Sequence, residues 1–325
     1  MEHRTIARLG REVSVVGLGT WQLGADWGHV SAQAANGVLE TAYRQGVTFF
    51  DTADVYGDGR SERFCADLRE HHAGVFVATK MGRRVEQVTE NYTRENFEAW
   101  NDRSRANLRQ KRLDLVQLHC PPDGVFESGA VFEWLDQMVA DGRIAAYGVS
   151  VETVAQALSA IARPGVATVQ IVLNCLRLKP LEQVLPTARE AGVGIIARVP
   201  LASGMLSGRY DENTEFADDD HRNYNRRGEA FDVGETFAGV PYDVGLKAAR
   251  RLAELVDEGS TLAQFALRWV IDQPGVSTVI PGARNREQVM QNTAAASAPP
   301  LRAEQLEGVG DVYEELIREH VHDHW

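Results

Sequence analysis

Asp51, Tyr56, Lys80 and His119 are the residues of this chain whose types and placement could do chemistry. The stretch Phe49-Phe50-Asp51-Thr52-Ala53-Asp54-Val55-Tyr56-Gly57 runs an apolar segment into two acids and a tyrosine, and Lys80 and His119 each close a later apolar run. An acid, a tyrosine, a lysine and a histidine at successive strand ends are the parts needed to hand a proton to a carbonyl oxygen as hydride reaches its carbon. An ammonium close to a phenol stabilises the phenolate, so Lys80 would ease proton release from Tyr56. Asp51 would pair with Lys80 and hold it, while His119 would orient and polarise the carbonyl. Taken singly, each of the four reads more readily as part of a buried ion pair or as a capped core group.

For these residues to meet, the elements that carry them must converge. Short β-branched apolar runs alternate with longer amphipathic stretches, the pattern of repeated βα units around a parallel sheet. Eight runs can be placed, at Ser14–Gly17, Val47–Phe50, Val75–Thr79, Leu113–Leu118, Ala145–Val149, Thr168–Leu173, Gly194–Val199 and Ser277–Ile280. Eight strands predict an α/β fold closed into a barrel, whose strand C-terminal ends share one mouth. The turn Gly17-Leu18-Gly19-Thr20-Trp21-Gln22 lacks the third glycine of a dinucleotide-binding Rossmann turn, which argues against an open doubly wound sheet. Between the runs, Thr93-Arg94-Glu95-Asn96 opens a helix with Phe97, Trp100, Ser104 and Leu108 on one stripe.

Residues 209–242 break the rhythm with a polar stretch and scattered glycines, and they follow the seventh run at the end where barrel sites form. A lid is expected there. The stretch from Ala294 to Pro300 should join a helix to a terminal one with Leu306, Val309, Val312, Tyr313 and Leu316 as its apolar stripe, and the tail from His320 to Trp325 carries no functional signal. With no linker and no repeat, one domain over residues 1–325 is expected.

Composition narrows the partners. The 325 residues are 44% hydrophobic and 25% charged, which suits a globular chain with a large core. A formal net charge of −12 argues against nucleic acid or an anionic membrane and for a small-molecule partner. Cys65, Cys120 and Cys175 lie far apart, so neither a disulfide framework nor a zinc site is suggested, and His119-Cys120 has no second ligand at metal spacing. No metal is expected. The first residues lack an apolar signal core and no run approaches the roughly 18 residues of a membrane span, so a cytoplasmic location is expected.

The local patterns Phe-Asp-Thr-Ala-Asp-Val-Tyr-Gly, Ala-Thr-Lys and Gln-Leu-His occur in that order, and with Gly17-Leu18-Gly19-Thr20-Trp21 and Ile280-Pro281-Gly282-Ala283-Arg284 the chain resembles the aldo-keto reductase family almost end to end. Within that family it is similar to the bacterial type related to the potassium-channel β-subunit branch. The resemblance implies a (β/α)8 TIM barrel binding NADP(H) without a Rossmann domain. It implies Tyr56 as general acid, Asp51 and Lys80 as its tuning pair, and His119 as the group that orients substrate, with Trp21 beside Tyr56 and His119 in the substrate pocket.

Further cofactor contacts are implied by matching position. Thr20, Trp21 and Asp51 sit at the nicotinamide end, where Ser150 and Gln170 would read the carboxamide, with Asn174 just beyond. Arg198, Val199, Pro200, Leu201, Ala202, Ser203, Gly204, Ser207 and Arg209 match the segment that wraps the pyrophosphate, where small residues let backbone N–H groups approach. Gly282, Arg284, Gln288, Gln291 and Asn292 correspond to the adenine and 2′-phosphate end at a helix start. Arg284, with Arg286, argues for NADP over NAD.

Two positions depart from the family pattern. Arg198 stands where many relatives have an aromatic residue that stacks on the nicotinamide. A guanidinium there adds charge, unfavourable unless an acid pairs it, so Arg198 could instead turn toward substrate or lid. Val151 replaces a common Asn and removes one polar contact. Trp27, Met81 and Phe126 could also wall a substrate pocket. The implied activity is NADPH-dependent reduction of an aldehyde or ketone. The alternatives are a cofactor-binding regulatory subunit with slow or no turnover, and a Schiff-base lyase using Lys80.

Overall fold

The computed structural model describes residues 1–24 and 30–325; Trp27 lies outside them. A hairpin of β1 (His3–Ile6) and β2 (Arg11–Ser14) comes first, paired antiparallel from His3↔Ser14 to Ile6↔Arg11. Eight parallel strands follow: β3 (Leu18–Gly19), β4 (Phe49–Asp51), β5 (Phe76–Met81), β6 (Leu115–His119), β7 (Tyr147–Ser150), β8 (Val166–Val172), β9 (Gly194–Arg198) and β10 (Val276–Val279), hydrogen-bonded in that order. The sheet closes on itself through parallel bridges Val16↔Val279 and Gly19↔Gly282. Gly17 N–H donates to Val279 O at 2.8 Å and Val279 N–H to Val15 O at 2.9 Å. The fold is a (β/α)8 TIM barrel.

The strands read as unbroken apolar runs because helices cover their outer face and side chains fill their inner one; every residue of β5, β6, β8 and β9 is buried. Phe49, Phe76, Leu115 and Ile196 pack the barrel floor with Ile6 and Val13 of the hairpin, which plugs that end. Arg4 pins the plug by donating to Ile271 O at 2.9 Å and Val276 O at 2.8 Å.

The expected first barrel strand at Ser14–Gly17 is corrected in part: Val16 and Gly17 do join the barrel through Val279. Ser14 ends the hairpin, and barrel pairing with β4 begins at Leu18. One apolar run, Val13 to Leu18, serves both, and periodicity does not mark where it leaves one sheet for the other.

The helix capped by Thr93 forms as expected: its side chain accepts from Asn96 N–H at 3.3 Å, and Phe97, Trp100, Ser104 and Leu108 are buried. The terminal helix Ala303–Val312 buries Val309 and Val312, with Tyr313 after them, but Leu306 faces solvent, so the expected stripe is one residue too wide.

Residues 209–242 are not bare loop. They hold the helical turn His221–Tyr224 and the short turns Val233–Glu235 and Phe237–Gly239, with Asn225, Thr236, Phe237 and Ala238 buried. Asn225 staples the segment, its Oδ1 accepting from Ala230 N–H at 2.8 Å and Phe231 N–H at 2.9 Å. The tail also has a role missed from sequence. Trp325 lies 3.7 Å from the Arg177 guanidinium, and its indole N–H donates to the Asp232 carboxylate at 3.1 Å. It ties the segment carrying Asp232 to Arg177.

Candidate active site

Because the strands are parallel and in register, Asp51, Lys80, His119 and Ser150 arrive at one end of the barrel. Lys80 is paired across to Gln117, and His119 to Ser150. The Lys80 ammonium forms an ion pair with Asp51 Oδ1 and donates to Thr52 O at 3.0 Å and to the Tyr56 hydroxyl at 3.3 Å. Asp51 Oδ2 accepts from Gln170 Nε2 at 2.8 Å and from Gln117 Nε2 at 3.1 Å. A buried ion pair survives only when its remaining lone pairs and protons are satisfied, and the two amides do that here. Burial alone would pull the Lys80 ammonium toward losing its proton, but Asp51 and Tyr56 outweigh it and the pKa is raised.

Tyr56 departs from expectation. Enclosure by the protein raises its pKa more than Lys80 lowers it, with the Asp51 charge adding to the rise. The phenol therefore keeps its proton, as a proton donor must. His119 is held well below its ordinary value by burial and by the charges of Arg83, Lys80 and Arg198, so its ring is neutral. Its Nδ1 is buried without a hydrogen-bond partner, and its ring lies edge-on to Tyr56 with centroids 5.9 Å apart. With Nδ1 unpartnered among the described residues, nothing holds the ring proton on that nitrogen, and Nε2 is free to carry it.

Tyr56 and His119 line a cleft of about 820 Å³ that runs across the barrel mouth. Thr20, Trp21, Asp51, Ser150 and Gln170 line it near Tyr56. Arg198, Val199, Pro200, Leu201, Ser203, Gly204, Ser207 and Arg209 form its wall after β9. Gly282, Arg284, Gln288, Gln291 and Asn292 form its far end, where Arg209 Nη2 lies 3.4 Å from Gln291 Oε1. Gln170 spends its amide nitrogen on Asp51 and Gln117, so among the described residues only its Oε1 is left to face a ligand.

The wall after β9 is strained. Ala202 (φ 46°), Ser203 (φ 53°) and Gly204 (φ 93°) are left-handed in succession, and a Cβ on Gly204 would stand 2.3 Å from the Tyr210 hydroxyl. Two N–H groups of the run are spent within the turn, Ala202 on Val199 O at 3.0 Å and Gly204 on Leu201 O at 2.9 Å.

Arg198 finds the acid that its position demands. Its Nη1 is ion-paired with Glu235 of the turn Val233–Glu235, and its Nη2 donates to Val151 O at 2.9 Å. Ser203 Oγ donates to Glu235 O at 2.8 Å, so the lid turn is fastened to the wall at two points. Beyond it, Trp21 packs between Tyr56, His221 and Phe231, with ring centroids 6.1, 5.3 and 5.8 Å away.

Several expected contacts fall elsewhere. Lys80 sits behind Tyr56 rather than on the cleft wall, and Ala202 is fully buried behind it. Asn174 is structural, donating to Val199 O at 2.9 Å and accepting from Leu176 N–H at 2.8 Å. The Arg286 guanidinium packs against helix Ala32–Arg44, where a Cβ on Gly37 would meet its Nε at 2.8 Å. Met81 and Phe126 are core residues. In the other direction, Gln117, Arg83, Glu235, His221 and Phe231 belong to the site and were not foreseen. Gln117 could have been found, since it stands two residues before His119 and so shares its face of the strand.

An eight-stranded barrel with a tyrosine hydroxyl beside an ion-paired lysine and a buried histidine at the mouth is a form of site that barrel oxidoreductases use. The chain belongs to the aldo/keto reductase family, whose model matches residues 15–314. It is 27% identical to aldo-keto reductase YhdN of Bacillus subtilis over 99% of this chain and 96% of that protein. It is 26% identical to a probable voltage-gated potassium channel subunit beta of Arabidopsis thaliana over 93% of each. Among solved structures it resembles an aldo-keto reductase from Klebsiella pneumoniae in complex with NADPH, with a TM-score of 0.69, 23% identity and 96% of each chain covered.

Proposed function

We propose that this protein is an NADPH-dependent carbonyl reductase, a single barrel domain that converts an aldehyde or ketone to its alcohol with Tyr56 as proton donor. The observation that carries the reading is the protonated Tyr56 hydroxyl, 3.3 Å from an ammonium held by Asp51 and beside a neutral His119.

The cleft suits NADP(H). Its far end carries Arg209 and Arg284 in a chain of net charge −12. A Cβ on Gly282 would meet the Gln22 amide at 2.1 Å, so the glycine makes room for that side chain on the cleft wall. The Klebsiella structure holds NADPH on the same fold. When bound, the dihydronicotinamide supplies hydride to the carbonyl carbon. The side chains do the rest. Ser150 and Gln170 Oε1 would hold the carboxamide, His119 Nε2–H would point the carbonyl oxygen at Tyr56, and Tyr56 would pass its proton to that oxygen. Lys80 then balances the charge left on the phenolate, and Asp51, fixed by Gln117 and Gln170, keeps the ammonium in place.

A lysine whose proton is held this firmly is a poor Schiff-base nucleophile, which sets the lyase reading aside. The three cysteines are buried thiols, which suits work in the cytoplasm.

The test is NADPH consumption with a panel of activated aldehydes, for wild type and Tyr56→Phe, with NADH for comparison. Turnover by the wild type with NADPH, lost in the variant, supports the assignment. NADPH binding without turnover in either favours a regulatory role, the reading that the likeness to the channel β subunit also allows.

A further inference from the structure

The reacting end of the cleft is electrically closed, and one lid residue closes it. Arg83 and Arg198 both stand on the cleft wall near His119, and a guanidinium without a counter-ion is a ready site for a carboxylate. Neither is without one. Arg198, only 7% exposed, is ion-paired with Glu235, and Arg83 Nη2 lies 3.4 Å from Glu152 Oε1. Lys80 is spent on Asp51. Among the described residues at this end, these three cations meet three anions, and a carboxylate entering here would lose its water with none of the three left to repay the loss.

We propose that Glu235 is the specificity-determining residue of this site, and that by neutralising Arg198 it makes the pocket select uncharged carbonyl compounds over carboxylate-bearing ones of the same shape. The proposal rests on the reductase reading above. Glu235 arrives from the lid, so the selection is made when residues 233–235 sit against the barrel. If Glu235 merely fastened the lid, removing its charge would change all substrates alike.

The experiment compares kcat/KM for 4-carboxybenzaldehyde and methyl 4-formylbenzoate in wild type, Glu235→Gln, Glu235→Asp and Arg198→Gln. The wild type should prefer the ester. Glu235→Gln, which keeps the size and removes the charge, should move the ratio toward the carboxylate by about tenfold or more. Glu235→Asp should hold the wild-type preference. Arg198→Gln, which leaves the acid uncompensated, should move the ratio the opposite way and serves if Glu235→Gln does not fold. A ratio within about twofold of wild type in both single-charge variants overturns the proposal, as does a shift of the same sign in both. If no protein reduces either aldehyde, the reductase reading fails by itself. The selection is then read from binding of 4-(hydroxymethyl)benzoate to the NADPH-loaded protein, where tightening in Glu235→Gln supports it and unchanged affinity overturns it.

Discussion

On the barrel side of the cleft, Asp51, Lys80, His119 and Ser150 are held by backbone: each stands at or one residue before the end of a parallel strand, and strand register sets their spacing. On the lid side, Glu235, His221 and Phe231 are held by side chains, through Arg198, Ser203 and the stacking on Trp21. A group placed by a sheet cannot move without breaking the sheet. A group placed by one ion pair and a few ring contacts can be released at modest cost. The two sides should therefore divide the work, with chemistry on the rigid side and access and selection on the releasable one.

Mutations can break that division. The largest effect is expected on the barrel side, where Tyr56→Phe should lower kcat by about a thousandfold or more while NADPH affinity stays within about threefold. Comparable loss of NADPH binding would mean that Tyr56 also shapes the cofactor site. Since His119 is already neutral and Tyr56 keeps its proton, kcat for reduction should show no inflection near 6.5, the ordinary histidine value. A step there in the pH–rate profile would contradict the neutral ring.

The rigid side also carries a hidden cost. Asp54 is completely buried, neither carboxylate oxygen has a hydrogen-bond partner, and burial with the nearby Glu62 charge pushes its pKa from 3.8 up to about 7. The folded protein thus holds a proton that the unfolded chain releases. The associated stability is present below pH 3.8 and is lost as pH rises through about 7. Asp54→Asn should remove that dependence and stabilise the protein at alkaline pH, by up to about 4 kcal/mol. Equal shifts in melting temperature at acid and alkaline pH would show that the carboxyl has found a partner.

The lid side gives smaller effects of a different kind. Trp325→Ala removes the clamp on Asp232 and Arg177 and should cost about 2 kcal/mol of stability, with faster NADPH release and little change in the chemical step. Stopped-flow release of NADPH would check it, and an unchanged rate would uncouple the tail from the lid. Smallest is Arg284→Ala, expected to weaken NADPH by about tenfold and NADH hardly at all. Equal weakening of both would move the 2′-phosphate elsewhere.

Legibility in the sequence followed the same division. The four residues at strand ends could be read because parallel strands bring their C-terminal ends together whatever lies between, so local motifs were enough. The hairpin was not legible, because Val13 to Leu18 is one apolar run shared by two sheets. The lid's contribution was not either: Glu235 is 37 residues from Arg198, and no periodicity links an irregular segment to a strand end. The direction of the Tyr56 pKa shift was likewise hidden. The lysine that lowers it is visible in the motif, but the enclosure that raises it further depends on how the barrel mouth is packed.

The amino-acid sequence by itself determined the repeated βα pattern, the closed barrel and the reactive groups at its mouth, since these follow from local periodicity and residue type. Only the tertiary structure decided which charges are cancelled. Arg198 and Arg83 are neutralised in space by Glu235 and Glu152, because Coulomb interactions depend on distance and burial, which the order of residues does not record.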